Sequence, residues 1–128
     1  MRALLDTHTF LWWALDDPHL SPRCRQIIAD ADNTIYVSVA SAWEIAIKVQ
    51  IGKLALPELP EPYVTSRVAL NGLQVLPINL SHALHVYSLP LLHRDPFDRI
   101  LVAQSQLENL PVLTTDPLIA QYGVQVIW

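Results

Sequence analysis

Four acidic side chains fall at positions where carboxylates can do chemistry. Asp6 closes an apolar run in Leu4-Leu5-Asp6-Thr7-His8, and Glu44 lies in Ser41-Ala42-Trp43-Glu44. Asp98 lies in Arg94-Asp95-Pro96-Phe97-Asp98-Arg99, and Asp116 in Leu113-Thr114-Thr115-Asp116-Pro117. Each has a plain local explanation. Ser41-x-x-Glu44 has the form of a capping box, and Glu44 can pair with Lys48 four residues on. Asp95-Pro96 and Asp116-Pro117 read as N-caps followed by proline at the first helical position, and Asp6 or Thr7 can cap a first helix. Brought together, the same acids need a further explanation. Two carboxylates about 5 Å apart repel by roughly 3 kcal/mol at an effective dielectric of about 20. Summed over all pairs this exceeds roughly 10 kcal/mol, comparable to the whole stability of a domain. Such a cluster persists only if some acids hold protons or a cation binds. Oxygen-only donors with open positions suit Mg²⁺ or Mn²⁺ rather than zinc, and the filled pocket would attract a phosphodiester.

Those positions follow from an alternation of elements. Short β-prone runs recur at Ala3–Leu5, Ile35–Val37, Gln74–Pro77, Val112–Leu113 and Val124–Ile127. Helical periodicity covers Thr9–Leu15, Pro22–Ala31, Ser41–Ile51, Pro62–Leu70, Ser81–Ser88, Phe97–Leu107 and Pro117–Gln121. Strands alternating with helices predict an α/β domain around a mostly parallel sheet. In such a sheet the C-terminal strand ends share one edge, where ligands bind. Asp6, Glu44 and Asp116 each follow a strand closely, and Asp98 arrives at a helix start by a longer connection. All four can meet at that edge. Phe97, Ile100, Leu101 and Leu107 are expected on one packed face of their helix. The first helix, with Phe10, Leu11, Trp12 and Trp13 adjacent, is expected to be deeply buried or part of an interface.

The composition agrees with one folded unit over residues 1–128. Apolar residues make up 52% of the 128 and charged residues 16%, below the roughly 25% usual for soluble domains. That excludes a disordered or low-complexity chain and predicts apolar surface that meets a partner. The net charge of −4 gives no overall basic footprint. With the four clustered acids set aside, however, 8 of the 12 acidic residues remain against 8 basic ones, so the total does not exclude nucleic acid. The single cysteine, Cys24, cannot form an internal disulfide and reads as a small buried hydrophobe. Asp6, Thr7 and His8 interrupt the N-terminal apolar run, so no signal peptide is expected, and no apolar stretch is long enough to span a bilayer. A soluble cytoplasmic protein is expected.

Other motifs carry less. His82-x-x-His85 sets two imidazoles on one helical face, but no cysteine or third histidine joins them, and a structural role is expected. His93, beside Arg94, could reach RNA but is expected to be a loop histidine without a role, and Trp43 is expected in the core. No glycine-rich phosphate loop or Gly-x-Ser-x-Gly elbow is present. A phosphatase with Asp6 as nucleophile would want a second aspartate where His8 stands.

The chain resembles the PIN-domain ribonucleases of the VapC type, the toxins of toxin–antitoxin pairs. The resemblance spans essentially the full length. It rests on Leu5-Asp6-Thr7-His8, Ser41-Ala42-Trp43-Glu44-Ile45, Asp95-Pro96-Phe97-Asp98-Arg99-Ile100-Leu101-Val102-Ala103-Gln104 and Leu113-Thr114-Thr115-Asp116. It implies a three-layer α/β/α domain and metal-binding, catalytic acids at Asp6, Glu44, Asp98 and Asp116. Asp6, Asp98 and Asp116 would hold the metal, while Glu44 ligates through water or orients the nucleophile. Ser41 and Thr114 fall at the family's hydroxyl positions beside the site. The implied reaction is hydrolysis of RNA with Mg²⁺ or Mn²⁺, leaving a 5′ phosphate and a 3′ hydroxyl. A homodimer and an antitoxin partner are implied too. Asp95 reads as an N-cap first and a supporting acid second, and Pro117 could reduce Asp116 to a helix cap. Lys48, Arg94 and Arg99 are candidate phosphate contacts. The alternative is a catalytically silent PIN-like module that binds RNA or protein.

Overall fold

The computed structural model describes residues 1–128. Five strands form one sheet: β1 (Arg2–Leu5), β2 (Thr34–Ser38), β3 (Gln74–Leu76), β4 (Val112–Leu113) and β5 (Val126–Ile127). Their order is β3-β2-β1-β4-β5 and every pairing is parallel. The helices are α1 (Thr7–Ala14), α2 (Pro22–Ala29), α3 (Val39–Gln50), α4 (Pro60–Leu70), α5 (Leu80–His85), α6 (Pro96–Glu108) and α7 (Pro117–Ala120). A turn of 3-10 helix, Val86–Ser88, follows α5.

The two-residue period of the strands divides the interior into layers. Ala3, Leu5, Ile35, Val37, Leu113 and Ile127 face a core shared with Phe10, Leu11, Cys24, Ile28, Ile45 and Tyr63 from α1 to α4. Leu4 and Leu76 face the other way, against Leu101 of α6 and Ala40, with Tyr36 alongside. A satellite cluster of Leu89, Val102, Ala103, Ile119 and Tyr122 ties α6 to α7 and the loop before it. The result is the parallel sheet expected from the alternation, in the three-layer α/β/α arrangement that the resemblance implies. Cys24 is buried, and burial pushes its thiol up from the ordinary range.

Local chemistry moves several boundaries. Helix α1 starts at Thr7 because the Asp6 carboxylate accepts from the Thr9 N–H at 2.7 Å. Helix α3 starts at Val39 because Ser38, the last residue of β2, accepts from the Ala40 N–H at 3.0 Å. Ser41 is therefore inside the helix, and the expected capping box does not form. Helix α6 ends at Asn109, left-handed at φ 53°, a common helix stop. Trp43, expected in the core, is 55% exposed, its ring edge-on to Phe97 at 4.9 Å. Leu107 also points outward, because α6 turns Leu101 to the sheet and Val102 and Ala103 to the satellite cluster. Phe10 and Leu11 are buried, while Trp12 and Trp13 are half-buried against the chain's own core.

Candidate active site

Strand register sets the floor of the site. Leu5 pairs with Val37 on one side and Leu113 on the other, so Asp6, Ser38 and Thr114 leave the sheet side by side at its C-terminal edge. One Asp6 oxygen caps α1 and the other accepts the hydroxyl proton of Thr114. The same Thr114 oxygen accepts the backbone N–H of Asp116 at 3.0 Å. A single hydroxyl thus ties Asp6 to Asp116, and both acids are held by donors rather than left to swing.

Helix α3 brings Ser41 and Glu44, three residues apart and on one face, against Thr7. The Thr7 hydroxyl lies 2.9 Å from Ser41 Oγ and 2.7 Å from Glu44 Oε1. A carboxylate only accepts, so Thr7 donates to Glu44 and must accept from Ser41. Both Ser41 and Glu44 are buried. The second Glu44 oxygen takes Lys48 Nζ at 2.5 Å, the pairing expected from their spacing. That carboxylate holds the Lys48 ammonium above its ordinary range.

Asp98 comes from the far side, at the start of α6. Pro96 occupies the first turn, and Asp95 Oδ1 accepts from the N–H groups of Phe97 at 2.8 Å and Asp98 at 3.3 Å. Burial pushes the Asp98 carboxyl up to about 7, aided by the nearby charges of Asp95, Glu44 and Asp6 and opposed by His93. His93 Nε2 hydrogen-bonds Asp116 Oδ2 at 3.0 Å and lies at the same distance from Asp98 Oδ2.

Asp6, Asp98 and Asp116 line one cleft of about 390 Å³ together with His8, Trp12, Thr115 and Pro117. Glu44 and Asp95 lie close enough to act on Asp98 electrostatically. The four acids singled out in the sequence therefore gather at one edge; Thr114 bonds Asp6 directly, Ser41 reaches Glu44 only through Thr7, and Asp95 caps the helix that carries Asp98. Asp116 also caps α7, accepting from the Leu118 N–H at 2.8 Å, so its cap role and its place in the cleft coexist. Arg94 is exposed beside the site. Arg99, a candidate phosphate contact in the sequence, is buried instead. Its guanidinium donates to the carbonyls of Pro90, Val86 and Leu89 and to Tyr122 Oη. It fixes the loop in front of α6.

Two site residues escaped the sequence reading. Thr7 sits at the first helical position, where side chains usually face water, and His93 lies in a loop with no periodicity. His82 and His85 serve the structure, as expected: His82 completes a capping box with Asn79 and meets Glu108 at 2.9 Å, and His85 meets Gln106 at 2.7 Å.

The donors suit a hard divalent cation. They are carboxylate oxygens gathered at one cleft, where burial first and then the neighbouring acids push the Asp98 carboxyl up. Fold and site together define a parallel α/β/α domain with an acidic, cation-type cleft at the C-terminal strand ends. The family model described as PIN domain matches residues 3–124, and the chain belongs to that family. Over 76 residues the chain is 40% identical to Ribonuclease VapC16 of Mycobacterium tuberculosis, a match covering 53% of this chain and 54% of that protein. The chain thus spans about half the length of the curated relative it matches. Among solved structures, VapBC2 from Rickettsia felis bound to a DNA fragment from their promoter aligns at TM-score 0.73 and 14% identity, over 99% of this chain and 98% of the other. FitAB bound to an IR36 DNA fragment aligns at TM-score 0.68 and 21% identity, over 99% and 94% of the two chains. FitAcB from Neisseria gonorrhoeae aligns at 0.63 and 20%, over 100% and 97%. At these identities the likeness is one of fold.

Proposed function

We propose that residues 1–128 form a single PIN domain acting as a metal-dependent endoribonuclease, the toxin of a toxin–antitoxin pair. The observation that carries the reading is the meeting of Asp6, Asp98 and Asp116 at one cleft, with buried Glu44 close enough to act on Asp98, which burial and its acidic neighbours raise to about 7. Membership of the PIN family and the likeness to a protein named as a ribonuclease support it.

Asp6, Asp98 and Asp116 would hold a Mg²⁺ or Mn²⁺ ion. When bound, the ion lowers the pKa of a coordinated water and polarises the phosphoryl oxygen. The protein's own groups do the rest. Thr9 and Thr114 fix the Asp6 carboxylate by donating to both of its oxygens. Glu44, fixed by Thr7 and Lys48, would orient the attacking water or hold the ion through one. Lys48 keeps its charge beside the cleft, and exposed Arg94 is free to meet a phosphate. Asp98, raised to about 7, would have to give up its proton for a cation to bind.

The partners follow the same reading. The resemblance to VapC-type toxins, together with solved neighbours named VapBC2 and FitAB, supports a protein antitoxin as partner here. Exposed Leu80, Leu84, Tyr87 and Leu91 offer apolar surface for a homodimer or that partner. No helix is long and apolar enough to cross a membrane, and the proposed site of action is the cytoplasm.

The test is cleavage of total cellular RNA by purified, antitoxin-free protein with Mg²⁺ or Mn²⁺, beside Asp98→Asn and an EDTA control. Discrete cuts that need metal and vanish in the variant are expected. Folded protein that binds metal yet cuts nothing would favour the silent module, and absence of metal binding would reduce the acids to helix caps.

A further inference from the structure

We propose that His93 makes this a one-cation site, its ring occupying the place between Asp98 and Asp116 where a second ion would otherwise bridge them. The inference rests on the reading that the cleft takes a divalent cation.

The ring's hydrogen bonds carry the argument. Nδ1 lies 3.1 Å from the backbone N of Asp95, and an amide N–H can only donate, so Nδ1 is an acceptor without a proton. The ring proton is therefore on Nε2, which hydrogen-bonds Asp116 Oδ2 at 3.0 Å with Asp98 Oδ2 equally near. A protonated ring nitrogen has no lone pair for a metal. Exchanging the tautomer would set two N–H groups against each other at Asp95. His93 is thus a positioning residue and not a ligand, although its nitrogen and the two carboxylate oxygens lie within 4.8 Å of one another.

The same contacts close the space to an ion. Paired cations in hydrolytic sites stand about 3.5–4 Å apart and share carboxylates. A cation placed between the two Oδ2 atoms would compete for its space with the His93 N–H, whose nitrogen lies 3.0 Å from each of them. Nor is the ring free to leave. Its side chain is 11% exposed, and its backbone N–H donates at 2.8 Å to Tyr122 Oη, which also takes Arg99 Nη1 at 3.1 Å. Asp98 Oδ1 faces no such donor, which leaves one oxygen of Asp98 and the Asp6 side of the cleft for a single ion.

Counting Mn²⁺ tests this on the full chain, by calorimetry and electron paramagnetic resonance, with nitrogen hyperfine spectroscopy on the bound ion. Wild-type protein should take one Mn²⁺ per chain with no directly bonded nitrogen. His93→Ala and His93→Asn, both too short to span the two carboxylates, should each admit a second, weaker Mn²⁺. Two ions on wild-type protein would overturn the proposal. So would a bonded nitrogen lost on substitution, or folded variants that both still take one ion. If neither variant folds, the wild-type count and nitrogen signal decide it. Folded wild-type protein that takes no Mn²⁺ overturns the underlying cation reading, an outcome distinct from all of these.

Discussion

Thr114 and Asp6, at the ends of adjacent parallel strands, share a hydrogen bond from hydroxyl to carboxylate, and the same hydroxyl oxygen accepts from the Asp116 backbone N–H. One buried side chain therefore sets the spacing of two acids that approach the cleft from different strands. Thr114→Val keeps the shape and removes both bonds. It should weaken Mn²⁺ binding about 10-fold or more and lower folding stability by about 1–3 kcal/mol. Thr114→Ser should restore most of both. Calorimetric metal titration and urea unfolding check this, and a valine variant with wild-type affinity would show that Thr114 does not organise the acids.

Asp98 makes the metal-free protein sensitive to alkali rather than acid over one window. Its folded-state pKa of about 7 stands above the ordinary 3.8, so between those values the folded chain holds a proton that the unfolded chain has lost. Stability therefore falls as pH rises from about 4 to about 7, by up to about 4 kcal/mol. Above that window the loss is constant. Asp98→Asn should flatten the slope and make the metal-free protein more stable than wild type at pH 8. Mg²⁺ should stabilise wild type more at pH 8 than at pH 5.5, because it competes with the proton for Asp98. Urea denaturation at the two pH values, with and without Mg²⁺, measures each part.

The sheet and its helices were legible because apolar runs, prolines and glycines punctuate the chain locally. Asp95-Pro96 and Asp116-Pro117 announced helix starts that the structure contains. Once the parallel order was inferred, the meeting of the acids at one edge followed. Contacts made across the chain were not legible. Ser38 and Ser41 are both plausible caps, and Ser38 prevails because β2 runs straight into α3, freeing Ser41 to meet Thr7 thirty-four residues away. Trp43 looked like core by its chemistry, yet it covers Phe97 on the outside. Arg99 looked like a phosphate contact by its charge, but the loop carbonyls that bind it have no sequence signature. His93 gains its role only when α6 and the strand-end loop after β4 bring Asp98 and Asp116 to the same ring.

Thr7 and Ser41 form a relay whose direction has consequences. Thr7 must donate to Glu44, so Thr7→Val leaves both the Ser41 hydroxyl and one Glu44 oxygen without their buried partner. The expected loss is about 1–3 kcal/mol of stability. On the nuclease reading, kcat should also fall, because Glu44 is then held only by Lys48. Ser41→Ala removes only the donor to Thr7 and should cost less on both measures. Thermal unfolding and single-turnover RNA cleavage would rank the two variants, and the opposite order would show that Thr7 does not hold Glu44 in place.

Arg99 and Arg94 stand five positions apart and should respond to substitution in opposite ways. Buried Arg99 satisfies the carbonyls of Val86, Leu89 and Pro90 and the hydroxyl of Tyr122, which in turn anchors the backbone of His93. Arg99→Met strands those acceptors away from water, at a cost of about 2–4 kcal/mol. For a domain of this size that lowers the Tm by roughly 10 °C. Exposed Arg94 makes no such contacts, so Arg94→Ala should leave the Tm unchanged. If it meets a phosphate, the same change should weaken RNA binding by an inactive Asp98→Asn background and reduce its salt dependence by about one unit of slope. Thermal scans and RNA binding at several salt concentrations separate the two arginines. A stable Arg99→Met protein with weakened RNA binding would return Arg99 to the substrate.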